Sequence, residues 1–209
     1  MRAAKGTDGS RVLVVSTGNA GKIKEIEEAL ADLPYQVRML RDVVQDAPEV
    51  VEDGDTFLAN ARKKAVAGHL ATGLPTLADD SGLEVEALAM EPGVHSARYA
   101  GPEATDADNN RRLLQSLAEV PQEERGAQFR SVIVVIDSRG NEIAVEGTCK
   151  GTLLTSPRGE GGFGYDPLFV PEGHDRTFAE MASAEKNVIS HRGLALANLV
   201  RILEQQDLY

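Results

Sequence analysis

The chain is organised around one stretch of sequence, Leu77-Ala78-Asp79-Asp80-Ser81-Gly82-Leu83-Glu84-Val85. The apolar run stops at two adjacent carboxylates, and Ser-Gly is typical of a turn, so we expect both acids at the end of a strand. Open α/β sheets bind ligands at strand ends. Because side chains alternate along a strand, Asp79 and Asp80 should point in opposite directions, and we predict that Asp80, nearer the turn, faces a ligand. Alternatively, these residues form only a turn.

Length and composition favour one α/β domain. The chain has 209 residues, of which 42% are hydrophobic, and no apolar run long enough to cross a bilayer. We expect a disordered N-terminal extension over residues 1–10, a single domain over residues 11–209, no membrane partner and a cytoplasmic location. The net charge of −11 argues against a nucleic-acid polymer as partner. A nucleoside triphosphate with Mg²⁺ could still enter a locally basic pocket.

A candidate phosphate site follows the first predicted strand. The segment Thr17-Gly18-Asn19-Ala20-Gly21-Lys22 joins that strand to a run with helical spacing. Backbone N–H groups at such a junction, the helix dipole and the charge of Lys22 together favour a phosphate. The segment is not a Walker loop, because Ile23 follows where that motif has Ser or Thr. Alternatively, Lys22 points into solvent.

An acidic loop over residues 45–55 contains Glu52 and precedes a predicted helix. Thr56 should cap this helix, which we expect to run to about Ala71. Asn60 and Lys64 lie four residues apart, so they share a helix face and could present polar groups to a pocket. The alternative for both the acids and Lys64 is an ordinary solvated surface.

Residues 156–167 form a glycine-rich loop. Its Gly159-x-Gly161-x-x-Gly164 pattern resembles the dinucleotide fingerprint, but neither a strand before it nor a helix after it is predicted. We interpret it as a hinge that presents the rings of Phe163 and Tyr165 and the carboxylate of Asp166, so that a base could stack there. Alternatively, the rings only fill the core.

The C-terminal helix also begins with candidate ligand-binding residues. Ser190 is a predicted N-cap, which places His191 and Arg192 in the first helical turn, where the dipole disfavours cations. An anionic ligand would explain them; the alternative is that both reach into solvent. With Lys64 and Lys186 as further cations, the segments together predict a site for a nucleoside triphosphate and a hard metal ion, Mg²⁺ or Mn²⁺. The chemistry would be hydrolysis, with Asp80 orienting a water.

Six motifs, in this order along the chain, resemble those of the inosine triphosphate pyrophosphatase family. They are Ser16-Thr17-Gly18-Asn19-Ala20-Gly21-Lys22, Asn60-Ala61-Arg62-Lys63-Lys64-Ala65, Ala78-Asp79-Asp80-Ser81-Gly82-Leu83, Pro92-Gly93-Val94-His95-Ser96-Ala97-Arg98-Tyr99, Gly162-Phe163-Gly164-Tyr165-Asp166-Pro167 and Ser190-His191-Arg192-Gly193. The resemblance implies an elongated α/β domain with a mixed twisted sheet flanked by helices, a central nucleotide-binding cleft and assembly as a homodimer. It also implies Mg²⁺-dependent, house-cleaning hydrolysis of ITP, dITP and XTP to the monophosphate and pyrophosphate.

The resemblance further implies roles for individual residues. Thr17 to Lys22 would hold phosphates, Asp80 would be the metal-associated proton acceptor and Ser81 would contact substrate. The pocket for the base and phosphates would be lined by Phe163, Gly164, Tyr165, Asp166, Lys186, His191 and Arg192. The chain departs from some family members at Val51, where they carry an acid that could bind metal, so we take Glu52 as the substitute.

Three other functions compete with this interpretation. A nucleotide sensor would use the same pocket without turnover, and a dehydrogenase would bind a dinucleotide at the glycine loop. A Maf-like nucleotide pyrophosphatase would act on other modified bases. The motifs at Phe163 to Asp166 and at His191-Arg192 favour the first family over the Maf-like class.

Overall fold

The computed structural model describes residues 11–209. The extension predicted for residues 1–10 lies outside the described residues. Within residues 11–209, no helix is both long enough and apolar enough to cross a membrane.

A six-stranded mixed sheet with flanking helices confirms the predicted fold class. The strand order is β2-β1-β3-β4-β5-β6; β1 pairs in parallel with β2 and β3, whereas β5 and β6 are antiparallel. The strands are β1 (Arg11–Val15), β2 (Tyr35–Met39), β3 (Thr76–Val85), β4 (Gly126–Ile136), β5 (Glu142–Leu153) and β6 (Phe169–Pro171). The α-helices are α1 (Ala20–Ala29), α2 (Leu40–Val43), α3 (Phe57–Thr72), α4 (Asp106–Ser116), α5 (Ser183–Ile189) and α6 (His191–Leu203). Short 3₁₀ helices span Glu86–Leu88, Gly93–Arg98, Gln122–Glu124 and Phe178–Glu180.

The turn predicted at Ser81-Gly82 is wrong, because β3 continues through it as one strand. A central strand has its backbone groups paired on both sides, and this pairing overrides the local turn preference of Ser and Gly. The parallel neighbour β1 ends at Val15, opposite Leu77, and the Ser16 N–H still donates to the Leu77 carbonyl at 2.8 Å. The two acids therefore lie just beyond the carboxyl end of β1, not at the end of β3.

The chain divides into two compact units, each with its own apolar core. The first unit contains the described residues up to Asp80, with Val132–Glu146 and Ala195–Tyr209, and the second contains Ser81–Ser131 and Gly147–Leu194. The chain passes from the first to the second within β3. The first core includes Leu13, Ile26, Leu77, Ile133 and Leu199; the second includes Leu83, Leu113, Phe129, Phe169 and Phe178.

Helix α3 begins and ends close to the positions predicted from sequence. The Thr56 hydroxyl accepts a hydrogen bond from the Ala59 N–H, and Gly73 ends the helix with a left-handed φ of 68°. The apolar residues Phe57, Ala61 and Ala65 are buried, and so are Asn60 and Lys64. The helix therefore carries two polar side chains into the interior of the first unit.

We expect Thr56→Ala to lower the free energy of unfolding by about 1 kcal/mol, because the first turn of α3 loses its cap. Thr56→Ser keeps the hydroxyl and should change stability by only a few tenths of a kcal/mol. Urea denaturation of both variants measures the difference. An equal loss in both would show that the hydroxyl does not act as the cap.

Candidate active site

The first unit contains a group of paired charges that we call the carboxylate–lysine cluster: Lys22, Glu52, Lys64, Asp79 and Asp80. Lys22 Nζ lies 2.5 Å from Asp79 Oδ2. Lys64 Nζ lies 2.7 Å from Glu52 Oε2 and 3.2 Å from Asp80 Oδ1. Three carboxylates thus meet two lysines, so the ionised cluster keeps one negative charge.

Strand and helix geometry bring these side chains together. Asp79 and Asp80 are neighbours on β3, and, as expected from the alternation of side chains, they meet different lysines. Lys22 comes from the first turn of α1, and Lys64 comes from the buried face of α3. The solvated alternative is therefore wrong for both lysines, whose side chains are only 14% and 11% exposed.

The two carboxyls that contact Lys64 differ in acidity. Burial raises the pKa of Asp80 from 3.8 to about 6, although Lys64 and Lys22 oppose the rise, and the nearby Glu52 adds to it. Burial also acts on Glu52, but the charge of Lys64 and its hydrogen bond outweigh burial and hold the pKa of Glu52 below its usual value. Asp80 therefore takes up a proton more readily than Glu52.

One oxygen of Asp80 is available for a further partner. Its Oδ1 accepts from Lys64, whereas its Oδ2 is buried and is reached by no hydrogen-bond donor within residues 11–209. A buried carboxylate oxygen without a donor is costly, and a cation would relieve that cost. The described residues contain no group of three or more His, Cys, Asp or Glu that could hold a metal ion by themselves.

The predicted phosphate segment, Thr17 to Lys22, forms the loop after β1 and the start of α1. The Asn19 side chain caps the helix by accepting from the Lys22 N–H at 3.1 Å, and the Thr17 hydroxyl accepts from the Asn19 N–H at 3.2 Å. Gly18, Asn19 and Ala20 are exposed. The segment is thus an ordered helix start that is accessible to solvent.

The acidic loop directs Glu52, and not Val51, into the cluster. Val51 is 71% exposed, whereas Glu52 makes the ion pair with Lys64. Glu52 therefore reaches the cluster and Val51 does not; metal binding by Glu52 stays a prediction.

The second unit contains another group, which we call the aromatic–cation cluster: Ser81, Phe163, Asp166, Lys186 and Arg192. Lys186 Nζ lies 2.6 Å from Asp166 Oδ2 and 4.7 Å from the centre of the Phe163 ring. The Arg192 guanidinium lies 5.5 Å from the same ring and donates to the Ser81 hydroxyl at 2.8 Å. Two cations thus accompany one carboxylate and one half-buried aromatic ring.

The start of α6 is placed as predicted, but its first residues do not point into solvent. Ser190 Oγ accepts from the Gly193 N–H at 3.1 Å, as an N-cap does. His191 and Arg192 are both buried. The His191 ring stacks on Phe129 with 4.7 Å between ring centres. The solvent alternative is therefore wrong for both residues.

The glycine-rich loop presents only one of its two rings. Tyr165 is 4% exposed and its hydroxyl donates to the Ser96 carbonyl at 2.8 Å, so the expectation that its ring is open to a base is wrong. Asp166 Oδ2 also accepts from the Phe163 N–H at 3.0 Å, and the Gly164 N–H donates to Asp106 Oδ2 at 2.7 Å. These contacts hold Phe163 in place; hinge motion stays a prediction.

The sequence alone does not reveal the contacts of three residues in or beside these clusters. The sequence indicates Asp79 as a member of the carboxylate pair, but its pairing with Lys22 requires the contact between α1 and β3. Asn60 was recognised only as sharing a face with Lys64. Phe129 lies in a strand whose pattern carries no sign of its contact with His191.

Comparisons with known proteins connect this arrangement to one family. A sequence profile of the Ham1 family matches residues 13–202. A dITP/XTP pyrophosphatase of Syntrophobacter fumaroxidans is 52% identical over 194 residues, covering 93% of this chain and 82% of that protein. One of Thermus thermophilus is 51% identical over 189 residues, with coverages of 90% and 89%.

Solved structures agree with the sequence comparison. A HAM1 protein from Coxiella burnetii matches with a TM-score of 0.86 and 40% identity over 93% of this chain and 99% of that chain. A nucleoside-triphosphatase, dITP/XTP pyrophosphatase, from Mycobacterium abscessus matches with a TM-score of 0.74 and 43% identity over 92% and 99%.

The same substitution at the two adjacent acids should have opposite effects on stability. The folded state raises the pKa of Asp80 to about 6, so the ionised carboxyl destabilises the protein above that pH, and this cost disappears below the unfolded pKa near 4. Asp80→Asn should therefore stabilise the protein by roughly 2 kcal/mol at pH 7.5, with no gain near pH 3.5. Urea denaturation at both pH values measures the effect.

Asp79→Asn is the matched control. It breaks the buried ion pair with Lys22 and should cost about 3 kcal/mol at pH 7.5. If Asp80→Asn also destabilises the protein at this pH, the carboxylate is not held at a cost in the folded state.

Proposed function

Because this chain belongs to the Ham1 family, we propose that it hydrolyses the non-standard purine nucleoside triphosphates dITP, XTP and ITP to the monophosphate and pyrophosphate. The names of its relatives support the substrate class. The observation that carries the proposal is the buried carboxyl of Asp80, with its raised pKa, beside Lys64 and Glu52. This arrangement places a proton acceptor beside a cation that can offset the charge on phosphoryl oxygens.

The carboxylate–lysine cluster suits Mg²⁺, and Mn²⁺ would fit as well. Mg²⁺ is commonly held by one or two carboxylates, with water and substrate phosphates as the other ligands. We assign Glu52 and Asp80 as these carboxylates, because the cluster keeps a negative charge and Asp80 Oδ2 lacks a donor among the described residues. When bound, the ion would polarise phosphoryl oxygens and offset their charge.

The residues of the first unit supply the remaining chemistry. Asp80 accepts a proton from the attacking water, whose oxygen bonds to the α-phosphorus. The bond from that phosphorus to the bridging oxygen breaks, and pyrophosphate leaves. Lys22 and Lys64 offset the charge that develops on the phosphoryl oxygens. The N–H groups and dipole at the start of α1, over Thr17 to Lys22, favour binding of phosphates.

The aromatic–cation cluster is our proposed contact for the purine. Phe163 offers a ring for stacking, and Lys186 and Arg192 are donors that suit the 6-oxo group of hypoxanthine and xanthine. Adenine carries an amino group at that position and would leave a buried donor unpaired. Ser81, Gly164 and His191 complete this proposed contact. Two further residues act behind it: Asp166 holds Lys186, and Tyr165 anchors the loop from inside the core.

We also propose that the protein is a cytoplasmic homodimer. The support is the resemblance to the family at the six motifs. Light scattering on the purified protein measures the mass of the assembly.

The activity is tested with ITP, dITP, XTP, ATP and GTP in the presence of Mg²⁺, measuring pyrophosphate and orthophosphate separately. We expect pyrophosphate from the first three and little product from ATP or GTP. Addition of EDTA should abolish turnover. Orthophosphate as the main product would contradict cleavage at the α-phosphorus, and binding without any turnover would favour the sensor function.

Asp80→Asn should lower kcat at least about 100-fold, because the proton acceptor is lost. Nucleotide binding, measured by calorimetry, should be retained, since Lys22 and the aromatic–cation cluster are unchanged. A nucleotide sensor has no turnover, and its nucleotide binding would be almost unaffected by the substitution. An unchanged kcat would exclude the role proposed for Asp80.

A further inference from the structure

Three side chains of α3 hold three consecutive residues of the acidic loop. Lys64 pairs with Glu52, Lys63 pairs with Asp53, and Asn60 binds the backbone of Gly54. The loop thus runs alongside the helix in the opposite direction. Of these contacts, only that of Asn60 fixes the main chain of the loop.

Asn60 uses both ends of its side-chain amide on one residue. Its Oδ1 accepts from the Gly54 N–H at 2.8 Å, and its Nδ2 donates to the Gly54 carbonyl at 3.3 Å. The residue is 0% exposed. A buried amide that satisfies two backbone groups at once holds both peptide units of Gly54 in one position, because moving them would leave all of these groups unpaired.

Gly54 is shaped to receive this contact. A Cβ atom at this position would lie 2.7 Å from Asn60 Oδ1 and 2.9 Å from the Ala59 Cβ. Both distances are too short for real atoms, so a larger residue would push the loop away from α3. Asn60 and Gly54 therefore act as one joint that can be disturbed from either side.

We propose that Asn60 is a positioning residue for Glu52 and thereby sets the affinity of the Glu52–Asp80 pair for a divalent cation. The inference rests on the proposed function, which assigns these two carboxylates to the cation. The joint at Gly54 lies two residues from Glu52 and places that carboxylate beside Lys64 before any ion binds. Groups that orient metal-binding carboxylates commonly change metal affinity 10- to 100-fold when they are removed.

The test measures direct binding of Mn²⁺ to the whole protein, with electron paramagnetic resonance as the readout. Asn60→Ala should weaken binding about 10-fold or more. Gly54→Ala, which disturbs the joint without creating a cavity, should weaken it in the same direction. The double variant should bind no more weakly than the weaker single variant, because both changes break one contact.

A kinetic measurement separates positioning from general damage. In Asn60→Ala, the Mg²⁺ concentration for half-maximal turnover should rise, and kcat at saturating Mg²⁺ should return to within a few-fold of the parent value. Lys63→Ala is the matched control, because it removes a solvent-exposed ion pair between the same helix and the same loop. Its Mn²⁺ affinity should change less than about twofold.

The outcomes distinguish this inference from the proposed function. If Glu52→Gln weakens Mn²⁺ binding while Asn60→Ala and Gly54→Ala bind as the parent does, the positioning role is overturned and the metal assignment stands. A lower kcat with unchanged Mn²⁺ affinity in Asn60→Ala also overturns it. If the parent protein binds no Mn²⁺, the metal assignment fails together with the inference, and absence of dITP and XTP hydrolysis contradicts the proposed function itself.

Discussion

The burial of two adjacent carboxylates inside β3 is the constraint on which the first unit depends. Removing such charges from water costs several kcal/mol each unless cations and hydrogen bonds compensate. The compensation comes from two helices, because neighbouring strand residues point in opposite directions and one lysine cannot serve both. The positions of Lys22 on α1 and Lys64 on α3 are therefore tied to Asp79 and Asp80.

The two acids differ in how the fold compensates their burial. Asp79 is fully buried and paired with Lys22, whereas Asp80 shares Lys64 with Glu52 and keeps one oxygen without a donor among the described residues. An acid that the fold leaves partly uncompensated is held at a cost to stability. A buried acid that is paired with a lysine contributes to the fold.

Local rules predicted some elements well and failed where pairing over long range dominates. The ends of α3 could be predicted because they depend on local properties: the hydroxyl of Thr56 caps the first turn, and Gly73 can adopt the left-handed conformation that ends the helix. The prediction of a turn at Ser81-Gly82 is wrong because the neighbouring strands, which the local sequence does not reveal, keep β3 extended. Likewise, the composition of the glycine loop indicated two available rings, and only the position of Ser96 shows why Tyr165 is buried. Most residues of the two charged clusters could be predicted from the sequence, but the ion pairs that they form could not.

The geometry of α3 explains why the acid stands at position 52 and not at 51. Asn60 and Lys64 are four residues apart, which is a rise of about 6 Å along a helix. Gly54 and Glu52 are two residues apart, and an extended chain covers about 7 Å in that distance, so both contacts form together. An acid at position 51 would lie about one residue, or roughly 3 Å, past Lys64. The exposed Val51 occupies that place, and the Asn60–Gly54 contact selects Glu52 as the acid that reaches the cluster.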